Sequence, residues 1–522
     1  MSEHGPQHWV GNWSARRAAL SPDRVGLIDA TTGREFTYAD LDRRANRCAR
    51  LLAEYGVTRN DGDEDAGGRV AVVSRNRPEF VDLFFATGKT GGVLAPLSHR
   101  LAPPETAELL DDVGPSLVVV EAPFAEDVSQ ALAATELDCP VLSLPSEDES
   151  AEVNWRAYDE ALPDDGTAYD GPALAPSDPH IFLHTGGSTG TPKETVLSHE
   201  GIVWNATNTI TAWGLRDDDL TPLTFPMFHT GGWNVLTVPF FHMGGTLAIA
   251  RSFDPGEVLS LIEERSASVL VAVPAVLRMM AEHDRWGDTD LSSLRFVKSG
   301  GGPCRESVLS SWWDRGVDLS QGYGLTECGP NNFAMPDDWS EEKADTVGVP
   351  AMHVDVRIVD DDGRALDRGE IGELELRSPH AATEYWHRPE ETDATFGDDG
   401  WLATGDLAKI DADGYVSIEG RKKNMYVSGG ENVFPPEVED AVSNHPKVSD
   451  AVVVPIDDEQ WGQVGRAVVV GDESLSLDEL TDFLNGRLAR FKRPRDLVFV
   501  DELPRSGPDK IDRSAVVEEF GS

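Results

Sequence analysis

Short, continuous apolar runs punctuate the first part of the chain. Arg69 to Ser74 and Gly92 to Leu97 have the pattern of strands buried on both faces. Between them, Pro78 to Gly91 predicts a helix. Earlier, Phe36-Thr37-Tyr38 leads into Leu41, Ala45, Cys48, Leu51 and Leu52, spaced along one helical face. Strand and helix alternating in this way imply a parallel sheet, and Leu117 to Glu121 and Val141 to Leu144 continue it. Residues 145 to 178, acidic and rich in Pro, Asp and Ser, read as a surface excursion. Ile181-Phe182-Leu183, Ser268 to Val273 and Leu294 to Lys298 read as further buried strands, and residues 369 to 420 as hairpins. The last hundred or so residues carry their own pattern: Val448 to Pro455, Gly465 to Val470, Leu477 to Phe491, Asp496 to Val500. Two domains are therefore expected, 1–420 and 421–522, hinged near Lys423.

Charge changes the picture. The chain of 522 residues carries 45 basic and 92 acidic side chains, a formal charge of -47. The acid is spread along the chain, with small clusters such as Asp61 to Asp65 and Asp217 to Asp219. Such a surface opposes nucleic acid and anionic membranes. It reads as adaptation to a high-salt, haloarchaeal type of cytoplasm, where counterions screen self-repulsion. Cys48, Cys139, Cys304 and Cys328 form no C-x-x-C pair, which argues against a zinc site or a disulfide framework. The most apolar stretch, Val269 to Met280, contains Pro274 and Arg278, so no membrane span is expected. No signal peptide is read at the start, and a cytoplasmic protein is expected.

Candidate chemistry centres on His184 to His199. Small residues from Thr185 to Gly190, with Lys193 three positions on, suit a loop whose N–H groups and lysine wrap phosphate oxygens. A Walker A loop fails, because its second Gly falls on Pro192 and its Ser/Thr on Glu194. A nucleophile elbow fits Gly186-Gly187-Ser188-Thr189-Gly190 and would make Ser188 a hydrolase nucleophile, but Thr191-Pro192-Lys193 replaces the helix that should follow. A plain Gly/Ser-rich turn also fits. In Phe225 to Asn234, His229 reads as a polar tip on an apolar pocket wall, with Gly231 and Gly232 leaving room for a ligand; a core histidine is the plainer alternative. Gly300-Gly301-Gly302 would let a flat base lie on backbone, although a turn explains it as well. In Gln321 to Glu327, Tyr323 offers a face for adenine, Thr326 a hydroxyl for phosphate and Glu327 an oxygen ligand suited to Mg²⁺. Asp406, after a Thr-Gly turn, is placed to accept ribose hydroxyls.

Thr185, Gly186, Ser188, Thr189, Gly190, Pro192 and Lys193 fall in register with the Thr-Ser-Gly-Thr-Thr-Gly-x-Pro-Lys-Gly loop of adenylate-forming enzymes. Tyr323-Gly324-Leu325-Thr326-Glu327 matches the second signature, and Lys510, in Pro504 to Arg513, falls on the catalytic lysine. From about residue 30 to 513 the chain resembles an AMP-forming acyl-CoA synthetase of that superfamily. The resemblance implies an α/β fold: a large N-terminal domain of layered mixed sheets and helices, and a small mobile α+β C-terminal lid. It implies a hydrophobic acid, a fatty acid first, activated by ATP to acyl-AMP and passed to CoA. An aryl acid such as o-succinylbenzoate comes second.

Roles follow by resemblance. Thr185, Gly186, Gly187, Ser188, Thr189, Gly190 and Lys193 would hold phosphates, and Gly300, Gly301, Gly302, Tyr323, Asp406 and Arg421 the nucleoside. Thr326, Glu327 (on Mg²⁺) and Lys510 would be catalytic, and His229, Trp233 and Gly322 would line the acyl pocket. Phe228 and the apolar Val235 to Phe241 favour a hydrophobic acid, and His229 stands where amino-acid-activating relatives carry an Asp. Lys423 would be the hinge, and Ser428, Gly429, Gly430 and Glu431 would face the CoA tunnel. A homodimer is left open. Glu194 and Asp509 replace family glycines beside Lys193 and Lys510, so the site potential is expected to be less positive than usual. Those two losses are the only support for a non-catalytic nucleotide-binding relative. Nothing favours a luciferase-like oxygenase.

Overall fold

The computed structural model describes residues 9–59, 67–146, 154–185, 193–397, 399–428, 431–458, 461–505 and 511–521. Among them, one sheet of eight strands runs in the order Glu384–Tyr385, Lys193–Ser198, Pro179–Thr185, Val93–Leu97, Arg69–Val73, Leu117–Glu121, Val141–Leu144, Arg156–Ala157. The pairs around Arg69–Val73 are parallel, as the alternating pattern implies. The pair Pro179–Thr185 with Lys193–Ser198 is antiparallel, and so is the edge Glu384–Tyr385. The continuous apolar runs are explained by helices on both faces. Pro78–Thr90 is buried along almost its whole length, and Tyr38–Glu54 packs through Leu41, Ala45, Cys48, Leu51 and Leu52. Thr37 caps the second helix through a reciprocal bond with Asp40. Arg44 and the buried Asp82 join the two helices by a two-pronged ion pair at 2.8 and 2.6 Å.

A second, three-stranded parallel sheet orders Val269–Ala272, Phe296–Ser299 and Leu319–Gln321. It sits on a core that includes Leu259, Ile262, Leu277 and Trp312. Its C-terminal strand ends run into Gly300 to Gly302 and Gly322 to Gly324, the edge at which parallel sheets receive ligands. An antiparallel sheet of Asp355–Val359, Gly372–Arg377, Leu402–Ile410 and Val416–Arg421 places Asp406 directly opposite Arg421.

The C-terminal part has its own core, including Tyr426, Val438, Val453, Val469 and Leu480. Its sheet comprises Glu431–Val433, Tyr426–Ser428, Gly462–Gly471, Val448–Asp458 and Asp496–Phe499. The change from one sheet system to the other falls across the turn Lys422–Asn424, because Arg421 still belongs to the preceding sheet.

Two expectations are modified. The segment read as a surface excursion is pinned by Tyr158, fully buried, whose hydroxyl lies 3.2 Å from the Cys48 sulfur. In the C-terminal part, the Leu477 to Phe491 stretch is helical only over Leu477–Leu484, after which Gly486 turns at φ +81°.

Candidate active site

Thr185 ends one strand and Lys193 opens the next, and the two residues pair across the hairpin. The loop between them is thus closed at its base, and its return as a strand removes the strand-to-helix turn that a nucleophile elbow requires. Gly186, Gly187, Ser188, Thr189, Gly190 and Pro192 lie outside the described residues. The buried Thr185 hydroxyl has no partner among them.

The Lys193 ammonium lies 2.6 Å from a Glu391 oxygen and 3.7 Å from the centre of the Tyr385 ring. The Tyr385 hydroxyl donates to Glu327 Oε1 at 2.8 Å. Glu327 stands in the short turn Thr326–Cys328, with Thr326 buried beside it, and its carbonyl accepts from the Ala382 N–H at 2.7 Å. One edge strand therefore brings the loop lysine and the candidate Mg²⁺ ligand onto the two ends of a single phenol. Burial and the Glu327 charge raise the Tyr385 pKa, so the phenol stays a donor. Tyr385 and Glu391 were not foreseen. The signal available was Tyr-Trp followed by Arg-Pro-Glu-Glu, an aromatic and an acid pair next to a proline-started helix, Pro389–Thr395.

The nucleoside side is equally organised. Asp406 is 4 % exposed; Tyr323 donates to one of its oxygens at 2.5 Å and Arg421 to the other at 2.6 Å. The Asp406 N–H bonds the Thr404 hydroxyl at 3.1 Å, and Arg421 also reaches the Thr404 carbonyl at 3.2 Å. Burial, then Asp406, raises the Tyr323 pKa, so this phenol is also held protonated. Side chains added at Gly300 or Gly302 would meet open space, and at Gly322 only the Ser299 carbonyl at 3.7 Å. Gly301 adopts φ +84°. These glycines leave an open floor beside Tyr323.

The acyl side corrects two expectations. Trp233 is wholly buried, stacked on Phe84 at 4.8 Å and edge-on to Phe80, with its indole N–H donating to the Met227 carbonyl at 2.6 Å. It belongs to the main core, where its ring is packed among aromatic side chains. Gly231 and Gly232 do not leave room either. A Cβ on them would stand 2.6 Å from the Phe225 ring and 2.3 Å from the Pro226 carbonyl. They open a π-helical turn, Gly231–Val235, that packs backbone against backbone. Carbonyls of this turn are collected by buried amides: Asn205 donates to the Asn234 carbonyl at 2.7 Å and Asn331 to that of Val235 at 3.0 Å. Of the run Val235 to Phe241, Val238, Phe240 and Phe241 are core residues. Val235 and Leu236 border a narrow apolar cleft with Leu223, Phe225 and Val271. His229 is exposed, and its Nδ1 accepts from the Gly231 N–H at 3.2 Å. Phe228 stacks on the half-buried His184 ring at 6.0 Å. Burial, helped by His229, lowers the His184 pKa to about 4, so this ring is neutral.

Glu194 gives a third correction. It alternates away from Lys193 into the interior, where it is 1 % exposed. Burial, with Asp112 nearby, pushes its pKa up to about 8, so it is largely uncharged at neutral pH and does not lower the site potential.

In the C-terminal part Lys423 is exposed in the inter-sheet turn. Ser428 is 1 % exposed, its hydroxyl has no partner among the described residues, and it pairs with the exposed Glu431 on the neighbouring strand. Gly429, Gly430, Asp509 and Lys510 lie outside the described residues. Arg505 and Ile511 form an isolated bridge, so the segment carrying Lys510 leaves and returns at one place. No cluster of three or more His, Cys, Asp or Glu fit to hold a metal occurs among the described residues. Mg²⁺ binds through one or two carboxylates together with substrate phosphates. Glu327, half-buried at the mouth of the phosphate-loop hairpin, is a fitting donor.

Fold and site together define a two-domain nucleotide-handling α/β enzyme. Residues 14–386 match the AMP-binding enzyme family and residues 437–510 its C-terminal domain, and the chain belongs to that family. It is an AMP-forming acid–CoA ligase, as its relatives are. It is 36 % identical over 98 % of its length (99 % of the relative) to a feruloyl-CoA synthase of Amycolatopsis. An indoleacetate–CoA ligase of Aromatoleum aromaticum is 35 % identical (97 % of both chains). The long-chain-fatty-acid–CoA ligase FadD13 of Mycobacterium tuberculosis is 34 % identical (98 % of this chain, 99 % of the relative). The structure is similar to ATP-bound MatB from Rhodopseudomonas palustris, at 29 % identity, 98 % and 99 % coverage and TM-score 0.87. Against apo MatB, with the same coverage and 28 % identity, the TM-score is 0.78. No helix among the described residues is long and apolar enough to cross a membrane.

Proposed function

We propose that this ligase activates a hydrophobic carboxylic acid, a fatty acid first, as acyl-AMP and transfers the acyl group to CoA. The observation that carries the reading is the phenol of Tyr385 shared between Lys193 and Glu327, beside the open floor at Tyr323 and Asp406. A carboxylate oxygen attacks the α-phosphorus of ATP, and the bond to pyrophosphate breaks. The barrier is repulsion between anions and misalignment, so cations and donors lower it. Lys193, freed from Glu391, would pair with β- and γ-phosphate oxygens. Glu327 would hold Mg²⁺, which neutralises phosphate charge. The Asp406 carboxylate, held by Tyr323 and Arg421, would accept the ribose hydroxyls. Lys510 would bridge the acid and the α-phosphate. In the second step the CoA thiolate attacks the acyl carbonyl and AMP leaves. The small domain would turn about Lys423 between the steps, replacing Lys510 with the Ser428–Glu431 hairpin. The closer match to ATP-bound than to apo MatB supports a lid posed for the first step.

An aryl acid is the second reading, favoured by the feruloyl and indoleacetate relatives. The test is pyrophosphate release with Mg-ATP and a panel of fatty and aryl acids, with and without CoA. Molar KCl suits a chain of formal charge -47. Release that requires one acid, rises with CoA and vanishes in Lys510→Ala is the expected result. No release with any acid, despite ATP binding, would favour a silent nucleotide-binding relative.

A further inference from the structure

One acidic side chain joins the nucleotide floor to the segment that carries Lys510. Asp450, on the C-terminal strand Val448–Asp458, accepts from Arg305 through Oδ1 at 2.8 Å and from Arg505 through Oδ2 at 3.0 Å. Arg305 also donates to the neighbouring Ser449 carbonyl at 3.1 Å, and it faces a second acid, Asp440 on the helix Pro435–Ser443. The two arginines come from opposite sides of the hinge. Arg305 follows the Gly300–Pro303 turn, which is fixed where the Cys304 N–H meets Gln321 Oε1 at 2.8 Å. Arg505 bridges to Ile511 and so stands at the root of the Lys510 segment. Asp450 is about one-quarter exposed and the arginines about one-third, so the pairs are partly shielded from water.

We propose that Arg305, Asp450 and Arg505 form a latch specific to the adenylating pose, with Asp450 as the positioning residue. The inference rests on the two-step reading above. Any rotation of the small domain about Lys423 carries Asp450 and Arg505 away together and leaves Arg305 behind. The Asp450–Arg505 pair therefore travels with the lid, and the Arg305 contacts exist in one pose only. While closed, they hold Arg505 against the turn that follows the glycine floor; opening them is part of the passage to the thioester step. Two cations sharing one carboxylate exceed an isolated surface pair, whose worth is small.

The test separates the two half-reactions in the full-length protein. Adenylation is followed as ATP–pyrophosphate exchange with dodecanoate and with ferulate. Thioester formation is followed as AMP release from the preformed acyl-adenylate and CoA. Asp450→Asn and Arg305→Gln are each expected to slow exchange by about tenfold, the rate equivalent of about 1.4 kcal/mol. Neither should slow AMP release from acyl-adenylate. The double variant should lose less than the product of the two single losses, because both changes remove the Arg305–Asp450 contact. Asp450→Glu should restore most of the exchange, and unchanged thermal midpoints show that the variants fold. Equal losses in both half-reactions, no loss in either, or multiplying losses in the double variant would overturn the latch. A wild-type chain that catalyses neither half-reaction with either acid would overturn the ligase reading itself, and the latch with it.

Discussion

Replacing Tyr385 by Phe removes one atom and tests the site directly. The ring stays under the Lys193 ammonium, so the cation–π contact at 3.7 Å survives. What is lost is the bond to Glu327 at 2.8 Å. A hydrogen bond to a charged acceptor contributes about 1.5–3 kcal/mol net, and the half-buried position of Glu327 argues for the low end. The expected cost is therefore about 1.5 kcal/mol, or roughly tenfold in pyrophosphate release. It should weigh most on the Mg²⁺ requirement, because the carboxylate loses the contact that orients it. The assay is initial pyrophosphate release against Mg²⁺ at saturating acid. A Tyr385→Phe profile within twofold of wild type at every Mg²⁺ concentration would refute the argument. Tyr385→Ala, which also strips the ring from Lys193, should then lose further activity at saturating Mg²⁺.

Other consequences concern stability. The folded pKa of Glu194, about 8, lies above its unfolded value, so the folded state binds the extra proton between about pH 4.5 and 8. Stability should therefore fall as pH rises through that window, by about 1.4 kcal/mol per unit. Glu194→Gln should flatten the profile in denaturant titrations at pH 6 and 9; an unchanged slope would show that Glu194 is solvated. His180 and His199 are wholly buried, with rings 4.6 Å apart and no hydrogen-bond partner among the described residues. Burial depresses both pKa values, that of His199 to about 3. Below pH 6.5 the unfolded chain takes up protons that the folded chain refuses, and His199 should cost about 2 kcal/mol by pH 5. His199→Leu should narrow the pH 7 to pH 5 gap in unfolding free energy by that amount, and no narrowing would sink the assignment. Trp233→Ala should cost about 3–5 kcal/mol of stability, as core tryptophans do. A stable variant with altered acid preference would return Trp233 to the acyl pocket.

Much of the large domain was legible because buried parallel strands are continuous apolar runs, and such runs need no partner to be recognised. The strands Arg69–Val73, Val93–Leu97 and Leu117–Glu121 lie where the pattern put them. The candidate nucleotide residues stand out for a related reason. A phosphate loop, a glycine floor and a Tyr-Gly-x-Thr-Glu turn are each local, with their chemistry carried by neighbours in sequence. Trp233 and the glycine pair misled because an aromatic beside small residues looks the same whether the space is for a ligand or for backbone. Glu194 misled because sequence adjacency to Lys193 says nothing about side-chain face or burial, and burial decides charge.

Sequence alone thus determined the order of elements and the family, which depend on local pattern, and from the same local pattern it nominated the residues proposed to meet the nucleotide. Tertiary structure decided which groups share a charge. Tyr385 reaches Lys193 and Glu327 only because an edge strand docks beside the loop hairpin, and Asp450 meets Arg305 and Arg505 only because two domains come together. Such contacts join residues distant in the chain, and electrostatic coupling depends on separation in space and on burial, neither of which a one-dimensional pattern contains.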